Sequence, residues 1–277
     1  HTSFKIGGKA DIMVIPSTKD QIIELIKYCN EENVPLFIMG NGSNLLVRDR
    51  GIRGVVLKIA GSFSHIYVEG NRIHVETGIL MSSLSHRALE EELSGLEFAS
   101  GIPGTLGGAL AMNAGAYGGE IKDVVKCVTA VDLEGNIVEL REDMLEFGYR
   151  TSRIQREGLI ALEATLELEK GDPAIIKETM NDLIRRRREK QPLSYPSGGS
   201  VFKRPEGYYA GKLIQDSGLK GYQIGGAQVS TKHAGFIINL GDATCADVVS
   251  LIETIQDKVY RDFGVELSPE LKIVGEE

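Results

Sequence analysis

Two glycine-rich segments are the places where the backbone of this chain could come closest to a bound group. The first, Gly40-Asn41-Gly42-Ser43-Asn44, follows an apolar run that ends at Met39. It begins like GxGxxG, but Leu45 stands where the third glycine belongs, and the Gly-Lys-Ser/Thr ending of a Walker loop is absent. The segment is therefore either a diphosphate cradle made of small residues and backbone N–H groups or only a structural turn.

The second segment runs from residue 101 to residue 119 and interleaves glycine and alanine with Asn113. So many small residues would let a flat ring system or a phosphate lie against the backbone. The alternative is a tightly packed corner between a helix and a strand, and the pattern favours neither. The chain has 33 glycines among 277 residues, about 12% against the usual ~7%, which indicates backbone conformations that other residues rarely reach.

A run of four arginines, residues 185–188, lies near the end of a segment with helical periodicity at residues 173–190. Spacings of three and four residues place Arg187 on or beside the apolar face of that helix. A solvated charge run is the ordinary interpretation for the other three. For Arg187 and Lys190, which lie toward an expected domain boundary, anion binding is a competing hypothesis.

The remaining nucleophiles and metal ligands form no familiar constellation. The five histidines and three cysteines have no ligand spacing, so no metal site is predicted. An odd number of cysteines without a CxxC motif argues against a disulfide framework and favours a reducing compartment. No GxSxG motif surrounds any serine, so a hydrolase triad is unsupported, and Ser200 is by pattern an ordinary loop serine.

Composition and charge exclude several classes of protein. With 42% hydrophobic and 25% charged residues, the chain is typical of globular proteins. Its 31 basic and 39 acidic residues give a formal net charge of −8, which argues against general binding to nucleic-acid backbones. No apolar run approaches the ~20 residues of a membrane span. The chain begins at His1 without Met or a signal-peptide core, so we expect its natural start to be missing.

Periodicity and capping residues predict the elements that must position these residues. A helix begins at Ser17 and Thr18 and runs to about residue 33, and strands at 35–39 and 54–57 flank the first glycine segment. The composition shifts toward glycine, serine, proline and tyrosine near residue 190, where we expect a domain boundary. The other predicted elements are strands at 72–76, 159–168, 235–240 and 271–274, a hairpin of 124–132 with 136–140, and helices at 81–93, 173–190 and 246–263.

Taken together, several segments resemble the family of UDP-N-acetylenolpyruvoylglucosamine reductases, the FAD enzymes that complete UDP-N-acetylmuramate for peptidoglycan. The resemblance extends over nearly the whole chain, and it depends on the order and spacing of the segments rather than on one motif. These segments are residues 1–8, 40–47, 100–119, 149–152, 199–203, 225–239 and 268–270.

The resemblance implies an α+β fold with a two-part FAD-binding half of the vanillyl-alcohol-oxidase (PCMH) type and a smaller α/β substrate-binding domain. The expected division is 1–57 together with the tail 265–277, then 58–190, then 191–264. Non-covalent FAD would lie along both glycine segments, and NADPH would be the co-substrate. The cofactor-binding residues that the resemblance implies are Gly40, Asn41, Gly42, Ser43, Asn44, Leu45, Gly101, Pro103, Gly104, Gly107, Gly108, Asn113 and Gly115.

The resemblance also implies the reaction. NADPH would give a hydride to flavin N5, and the enolpyruvyl ether of UDP-N-acetylglucosamine would then accept it at its terminal vinyl carbon. Arg150 and Glu270 would stabilise the negative charge that develops on the adjacent carbon, and Ser200 would supply the proton. The implied substrate-binding residues are Tyr117, Arg187, Lys190, Lys220 and His233.

Two departures from the family pattern concern the nucleotide contacts. His233 stands where some relatives have glutamine, and Arg204 stands where many have asparagine. The short link between the predicted hairpin and the strand at residue 159 implies the compact type of the family, which lacks a substrate-capping loop. The implied nucleotide substrates, the cysteine usage and the absence of an export signal predict a cytoplasmic enzyme, and the oligomeric state stays open.

Two other functions compete with this one. An oxidase of the same flavin-binding fold, acting on a small alcohol or sugar, would attach its flavin through a histidine or cysteine, and neither glycine segment contains one. A non-catalytic module that binds a sugar nucleotide would be colourless and would not consume NADPH.

Overall fold

Backbone contacts divide the chain into two units in the computed structural model, which describes residues 1–277. The terminal unit consists of His1–Asp11, Gly42–Arg53 and Arg188–Glu277, and the central unit consists of Ile12–Asn41 and Gly54–Arg187. The three-part division expected from the sequence concerns which residues bind which ligand, and it stays a prediction.

The elements alternate between helices and strands along the whole chain, with short 3-10 helices at Glu97–Gly101, Ile121–Asp123 and Glu142–Leu145. The α-helices are α1 (Lys19–Glu31), α2 (Met81–Glu90), α3 (Leu106–Met112), α4 (Arg153–Arg156), α5 (Pro173–Lys190), α6 (Ala210–Asp216) and α7 (Cys245–Phe263). The strands are β1 (Ala10–Val14), β2 (Leu36–Met39), β3 (Leu45–Val47), β4 (Ile52–Lys58), β5 (Ile66–Glu69), β6 (Arg72–Glu76), β7 (Leu93–Ser94), β8 (Gly115–Ala116), β9 (Gly119–Glu120), β10 (Val125–Val131), β11 (Ile137–Arg141), β12 (Ile160–Glu167), β13 (Glu169–Lys170), β14 (Ser197–Ser200), β15 (Gln223–Ile224), β16 (Ala227–Val229), β17 (Phe236–Asn239) and β18 (Lys272–Val274).

A five-stranded antiparallel sheet in the order β11-β10-β12-β6-β5 forms the middle of the central unit. In β12, Leu162, Ala164 and Leu166 are buried, and the polar residues between them are half-buried. This period of two turns one face of the sheet toward a core and the other toward solvent. The fully buried side chains that α2, α3 and β6 contribute to the core include Ile73, Met81, Leu84, Leu106 and Leu110.

The parallel pair of β2 and β4 carries the first glycine segment at the carboxyl end of β2. Helix α1 precedes this pair, and the Thr18 hydroxyl accepts a hydrogen bond from the Gln21 N–H at 3.3 Å, which confirms the predicted helix start. Ile22 and Ile26 of α1 are buried in one cluster with Leu57 of β4. The strand end at which the segment begins is therefore fixed by helix packing.

An antiparallel sheet in the order β14-β17-β16-β15 and the helices α6 and α7 form the terminal unit. Helix α7 begins with a capping box of Thr244 and Asp247. The Asp49 carboxylate also accepts from the N–H groups of Cys245 (2.8 Å) and Ala246 (3.1 Å), where a negative charge favours the helix N-terminus. Strand β18 pairs in parallel with β3, so the C-terminal tail lies beside the residues that follow the first glycine segment.

Helix α2 is shorter than expected, and the second glycine segment holds a helix that was not expected. The helix predicted at 81–93 ends at Glu90, because Glu92 adopts a left-handed φ of 56° and Leu93 enters a short strand opposite Lys170. The second glycine segment contains α3, whose two glycines lower its intrinsic helix propensity and concealed it. No helix combines the length with the apolar character that crossing a bilayer would require.

Candidate active site

The two glycine segments meet inside the central unit. The Asn41 side chain donates a hydrogen bond from Nδ2 to the Pro103 carbonyl at 2.9 Å. Gly40 lies so close to Thr105 that a Cβ on the glycine would be 2.2 Å from Thr105 Oγ1. Gly40 is therefore required for close approach, and the structure brings together residues that the sequence assigned to one cofactor from two distant segments.

The first turn of α3 is hydrogen-bonded to the residues just before α2 on one side and is exposed at Gly108. The Leu106 N–H donates to the Ile79 carbonyl and the Gly107 N–H donates to the Thr77 carbonyl, both at 2.9 Å. Gly108 is exposed, and a Cβ there would meet only Thr105 Oγ1, at 3.9 Å. A planar group could therefore lie against the backbone at Gly108.

The Thr105 hydroxyl fits a bound cofactor. Its Oγ1 is buried and has no hydrogen-bond partner within the chain, although buried hydroxyls in native proteins nearly always have one. It lies between Gly40 and Gly108, the residues whose missing side chains leave the backbone bare. A polar group of a ligand at this point would satisfy Thr105, which is what a nucleotide cofactor such as FAD supplies.

The second half of the first glycine segment belongs to the terminal unit and is joined to the C-terminal tail. The Asn44 side chain donates from Nδ2 to the Glu270 carbonyl, and the Lys272 N–H donates to the Asn44 carbonyl, both at 3.0 Å. Gly42 has a positive φ of 63°, and its carbonyl accepts from the Ser3 N–H at 3.2 Å. Ser43 is half-buried, and Leu45 is buried at the start of β3.

A β-bulge lies in the strand that ends at Ser200. Ser197 pairs with Ile238 and Ser200 pairs with Phe236, so the register between β14 and β17 shifts by one residue, at a position where Gly199 has a φ of +83°. Such bulges bend a strand and redirect the side chain that follows. Ser200 is exposed, and its hydroxyl makes only a long contact of 3.4 Å with the Phe202 carbonyl.

Glu270 lies on the segment that pairs with the residues directly after Ser200. The Glu270 N–H donates to the Val201 carbonyl at 2.7 Å, and the Lys203 N–H donates to the Ser268 carbonyl at 2.9 Å. Glu270 is half-buried. The structure therefore places Ser200 and Glu270, which are seventy positions apart in the sequence, on adjacent extended segments of the terminal unit.

His233 and Lys220 lie near each other in the terminal unit. The Gly235 N–H donates to His233 Nδ1 at 3.1 Å, so the neutral ring carries its proton on Nε2. Burial lowers the pKa of His233, and the positive charge of Lys220 adds to this effect. The His233 ring contacts the edge of Phe236, the residue that pairs with Ser200, and the ring centroids are 5.1 Å apart.

Lys190 is exposed at the end of α5.

Arg150 occupies a strained turn of the central unit. The N–H and carbonyl groups of Gly148 and Thr151 bond to each other at 3.0 and 3.4 Å, which leaves Tyr149 and Arg150 at the tip. Arg150 has a φ of +56°, its guanidinium lies 5.1 Å from the centre of the Tyr149 ring, and Nη2 donates to the Gly115 carbonyl at 3.5 Å. A left-handed arginine is unfavourable by itself, so the surrounding contacts must hold it.

Tyr117 and Arg187 also belong to the central unit and are close enough to influence each other. Tyr117 and Gly118 form a two-residue turn between β8 and β9, and both have positive φ, as hairpin turns of this length require. Burial lowers the pKa of the Arg187 guanidinium, and the electrostatic interaction with Tyr117 raises it by a smaller amount. Arg187 packs along Gly101, where an added Cβ would lie 3.0 Å from its Cδ.

Asn113 and Glu120 belong to one hydrogen-bonded group of the central unit. The resemblance assigns Asn113 to the cofactor, and this assignment stays a prediction; its side chain is buried and bonded to three groups of the protein. Glu120 is not among the residues that the sequence predicts for the site; its carboxylate pairs with Lys122 at 2.7 Å, and the positive charge of Arg150 contributes to lowering its pKa. The signal that could have identified Glu120 is its place as the one acidic residue that closes the second glycine segment.

Comparisons with known proteins agree with this arrangement. A model described as FAD binding domain matches residues 10–141, and a model described as UDP-N-acetylenolpyruvoylglucosamine reductase, C-terminal domain, matches residues 191–274. The UDP-N-acetylenolpyruvoylglucosamine reductase of Alkaliphilus oremlandii is 60% identical over 277 residues, which is 100% of this chain and 91% of that protein. The chain belongs to the UDP-N-acetylenolpyruvoylglucosamine reductase family.

Further members of the family support the assignment. The reductase of Caldanaerobacter subterraneus subsp. tengcongensis is 57% identical over 276 residues, 100% of this chain and 91% of that protein. The crystal structure of the reductase from Thermus caldophilus superposes with a TM-score of 0.84 at 34% identity and covers 98% of this chain and 95% of that one.

Membership in the reductase family confirms the predicted fold class, an α+β protein with an FAD-binding half of the vanillyl-alcohol-oxidase type and a smaller substrate-binding domain. The chain is accordingly an FAD-dependent oxidoreductase that uses NADPH as reductant. The roles of individual site residues stay predictions.

Proposed function

We propose that this chain reduces the enolpyruvyl ether of UDP-N-acetylglucosamine enolpyruvate to UDP-N-acetylmuramate, a step in the synthesis of peptidoglycan precursors. The proposal rests on family membership together with one structural observation: Ser200 and Glu270 lie on paired segments, and Asn44 of a glycine segment is bonded to the second of these. This pairing supports the assignment of Ser200 as the proton donor and of Glu270 as the acid, next to a segment assigned to the redox cofactor.

FAD fits the residues that the sequence assigned to it. The cofactor would lie in the central unit against the exposed backbone at Gly108. It would also contact Gly40, Asn41 and Thr105. The chemistry that non-covalent FAD supplies when bound is hydride transfer, from NADPH to the terminal vinyl carbon of the substrate.

Arg150 and Glu270 stabilise the charge that develops during this transfer. When a hydride adds to the terminal carbon, negative charge appears on the adjacent carbon and spreads into the substrate carboxylate as an enolate. A guanidinium binds a carboxylate through two parallel hydrogen bonds, and a carboxyl group can donate a further one. The turn at residues 148–151 carries the guanidinium, and the Glu270 N–H is bonded to the Val201 carbonyl, which fixes the main chain from which the carboxyl group extends.

Ser200 completes the reaction by proton transfer. Its hydroxyl gives a proton to the carbon that bears the carboxylate, so one hydride and one proton add across the double bond and the ether bond stays intact. Serine is a weak acid, and an enolate is a strong enough base to take its proton. The bulge at Gly199 directly precedes Ser200, whose hydroxyl makes only the 3.4 Å contact with the Phe202 carbonyl.

The charged residues around these groups bind the substrate's anionic parts. Arg187 is a half-buried cation, and a bound anion would offset the free-energy cost of removing its charge from water. Lys190 and Lys220 are exposed cations, and neutral His233 donates from Nε2. Tyr117 supplies a phenol at the tip of its hairpin. The link of residues 142–159, which holds a short 3-10 helix and α4, is consistent with the compact type of the family.

We place the enzyme in the cytoplasm. Its substrates are nucleotides, which are made and used there, and the three cysteines are unpaired thiols, as in proteins of reducing compartments.

The proposal is tested with purified, flavin-loaded protein under anaerobic conditions. NADPH should bleach the flavin, and UDP-N-acetylglucosamine enolpyruvate should restore its absorbance, with a product heavier by two hydrogens. Flavin that stays reduced until oxygen is admitted would contradict the proposal and favour an oxidase of the same fold. Acid precipitation distinguishes that oxidase further, because covalently attached flavin stays with the protein.

A further inference from the structure

Asn113 joins three elements of the central unit through one buried side chain. It is 1% exposed and ends α3 with a left-handed φ of 45°, a conformation that asparagine tolerates better than most residues. The hairpin β8–β9 that carries Tyr117 begins two residues later. Asn113 therefore stands between the helix of the second glycine segment and a predicted substrate-binding residue.

The carboxamide of Asn113 uses both of its functions within the protein. Nδ2 donates to Glu120 Oε2 at 3.0 Å and to the Gly148 carbonyl at 3.1 Å, and Oδ1 accepts from the Lys122 N–H at 3.2 Å. An amide nitrogen has two N–H donors, so these two bonds exhaust its donor capacity. This leaves the side chain no N–H for a cofactor.

The bond to Gly148 matters because Gly148 begins the turn that presents Arg150. The other end of that turn is held by Ser152, which is fully buried and donates from Oγ to the Ala111 carbonyl at 3.0 Å. The last turn of α3 is therefore hydrogen-bonded to both ends of the turn that carries Arg150, through Asn113 at one end and Ala111 at the other. These are the contacts that can keep Arg150 at its unfavourable positive φ.

The Glu120 carboxylate adds a negative charge to the hydrogen-bonded network around Asn113. Its pKa lies below the ordinary value, first because of the hydrogen bond from Lys122 and further because of Asn113 and the charge of Arg150. The carboxylate is therefore ionised beside the arginine. Through Asn113, this carboxylate and the arginine turn are fixed relative to each other.

We propose that Asn113 is a positioning residue for Arg150, and that Glu120 acts with it as the acceptor that fixes the Asn113 amide. The inference rests on the proposed function, which gives Arg150 the task of stabilising the developing carboxylate charge. An amide is needed at position 113 because the two groups that face Nδ2 are both acceptors. Aspartate there would place a third acceptor against a carboxylate and a carbonyl.

Asn113→Asp tests the positioning role in the flavin-loaded protein. We expect full FAD content and a rate of flavin reduction by NADPH within about twofold of the original chain. Reoxidation by the enolpyruvyl substrate should slow by about 10- to 100-fold, the cost of a small displacement of a catalytic group. Asn71→Asp is the matched control. Asn71 lies in the turn between β5 and β6, and its Nδ2 also donates to a carbonyl, that of Leu168, at 3.0 Å. This substitution should change neither rate.

A double-substitution cycle with Arg150→Ala separates positioning from direct action. If Asn113 acts through Arg150, Arg150→Ala with Asn113→Asp reoxidises no more slowly than Arg150→Ala alone. Rate losses that multiply, or loss of FAD from Asn113→Asp, would overturn the inference. Should Asn113→Asp fail to fold, Glu120→Ala, which removes the acceptor for Asn113 Nδ2, serves in its place with the same cycle. Failure of the original chain to be reoxidised would instead remove the proposed function.

Discussion

The side chain of Asn44 donates a hydrogen bond to the backbone carbonyl of Glu270, with 3.0 Å between Nδ2 and the oxygen. The Lys272 N–H returns a bond of the same length to the Asn44 carbonyl. A residue assigned to the flavin and a residue assigned to the substrate are thereby held by one network. Ordering the glycine segment around a cofactor should also order the acid that acts on the substrate.

Glu270→Gln should separate the chemical role of this residue from its structural one. The bonds of Glu270 to Asn44 and Val201 use the main chain, so glutamine keeps them. We expect normal FAD content and normal flavin reduction by NADPH, with reoxidation by the enolpyruvyl substrate slowed by about 10²-fold. Absorbance spectra and rapid mixing measure both. A variant that only loses FAD would show that the carboxyl group is structural.

Gly199→Ala tests whether the bulge aims Ser200. Gly199 has a φ of +83° and open space around its Cα, so alanine meets backbone strain and no clash. The strain should lower the free energy of unfolding by about 1–2 kcal/mol. Gly207→Ala is the control, since Gly207 also has a positive φ, +73°, and open space, and lies outside β14. Both variants should lose similar stability in urea denaturation, but only Gly199→Ala should slow reoxidation; equal rates would exclude an aiming role.

Thr105→Val tests the assignment of its hydroxyl to FAD. Oγ1 has no partner in the chain, so the apoprotein should be as stable with valine as with threonine, or more stable. FAD binding should weaken by about 2- to 10-fold, the contribution of one neutral hydrogen bond. Thr165→Val, whose hydroxyl is 3.1 Å from His74 Nδ1 on the five-stranded sheet, should leave FAD affinity unchanged. Fluorescence titration of apoprotein gives the affinities, and an unchanged value for Thr105→Val would refute the assignment.

His233 predicts a pH dependence of stability. Because burial and Lys220 lower its pKa in the folded state, the unfolded chain binds the proton more tightly. The free energy of unfolding should therefore fall as the pH drops below the ordinary histidine pKa of about 6.5, toward the lower folded value. His233→Gln should remove this part of the acid sensitivity, whereas His86→Gln, at an exposed position on α2, should retain it. Denaturation midpoints from pH 7.5 to 5 measure the difference, and parallel curves for His233→Gln and the original chain would contradict it.

Local signals were sufficient for the elements that pack by their own periodicity. The cap at Thr18, the strand at Arg72–Glu76 and the long helix Pro173–Lys190 all lie where spacing and capping residues placed them. Helix α3 was not foreseen, because its stability comes from burial of Leu106 and Leu110 in the core and not from propensity. Tertiary contacts of this kind leave no mark in a short window of sequence.

The candidate site shows the same limit. The glycine segments could be located from composition, but whether they bind or merely turn could not, since that depends on the unpartnered hydroxyl of Thr105 between them. The approach of Glu270 to Ser200 depends on pairing between the tail and the strand end, which has no local pattern. The resemblance assigns Asn113 to the cofactor, but no local pattern could show that both N–H donors of its side chain bind Glu120 and the Gly148 carbonyl.

The most direct test of the account is to measure both half-reactions of Ser200→Ala by anaerobic rapid mixing. The hydroxyl is assigned to proton donation alone, so NADPH should reduce the flavin at nearly the original rate, and reoxidation by UDP-N-acetylglucosamine enolpyruvate should slow by at least ~10²-fold. Ser197→Ala, a half-buried serine of the same strand, should retain both rates. Equal slowing of both half-reactions in Ser200→Ala, or reoxidation at the original rate, would contradict the assignment of Ser200 as the proton donor.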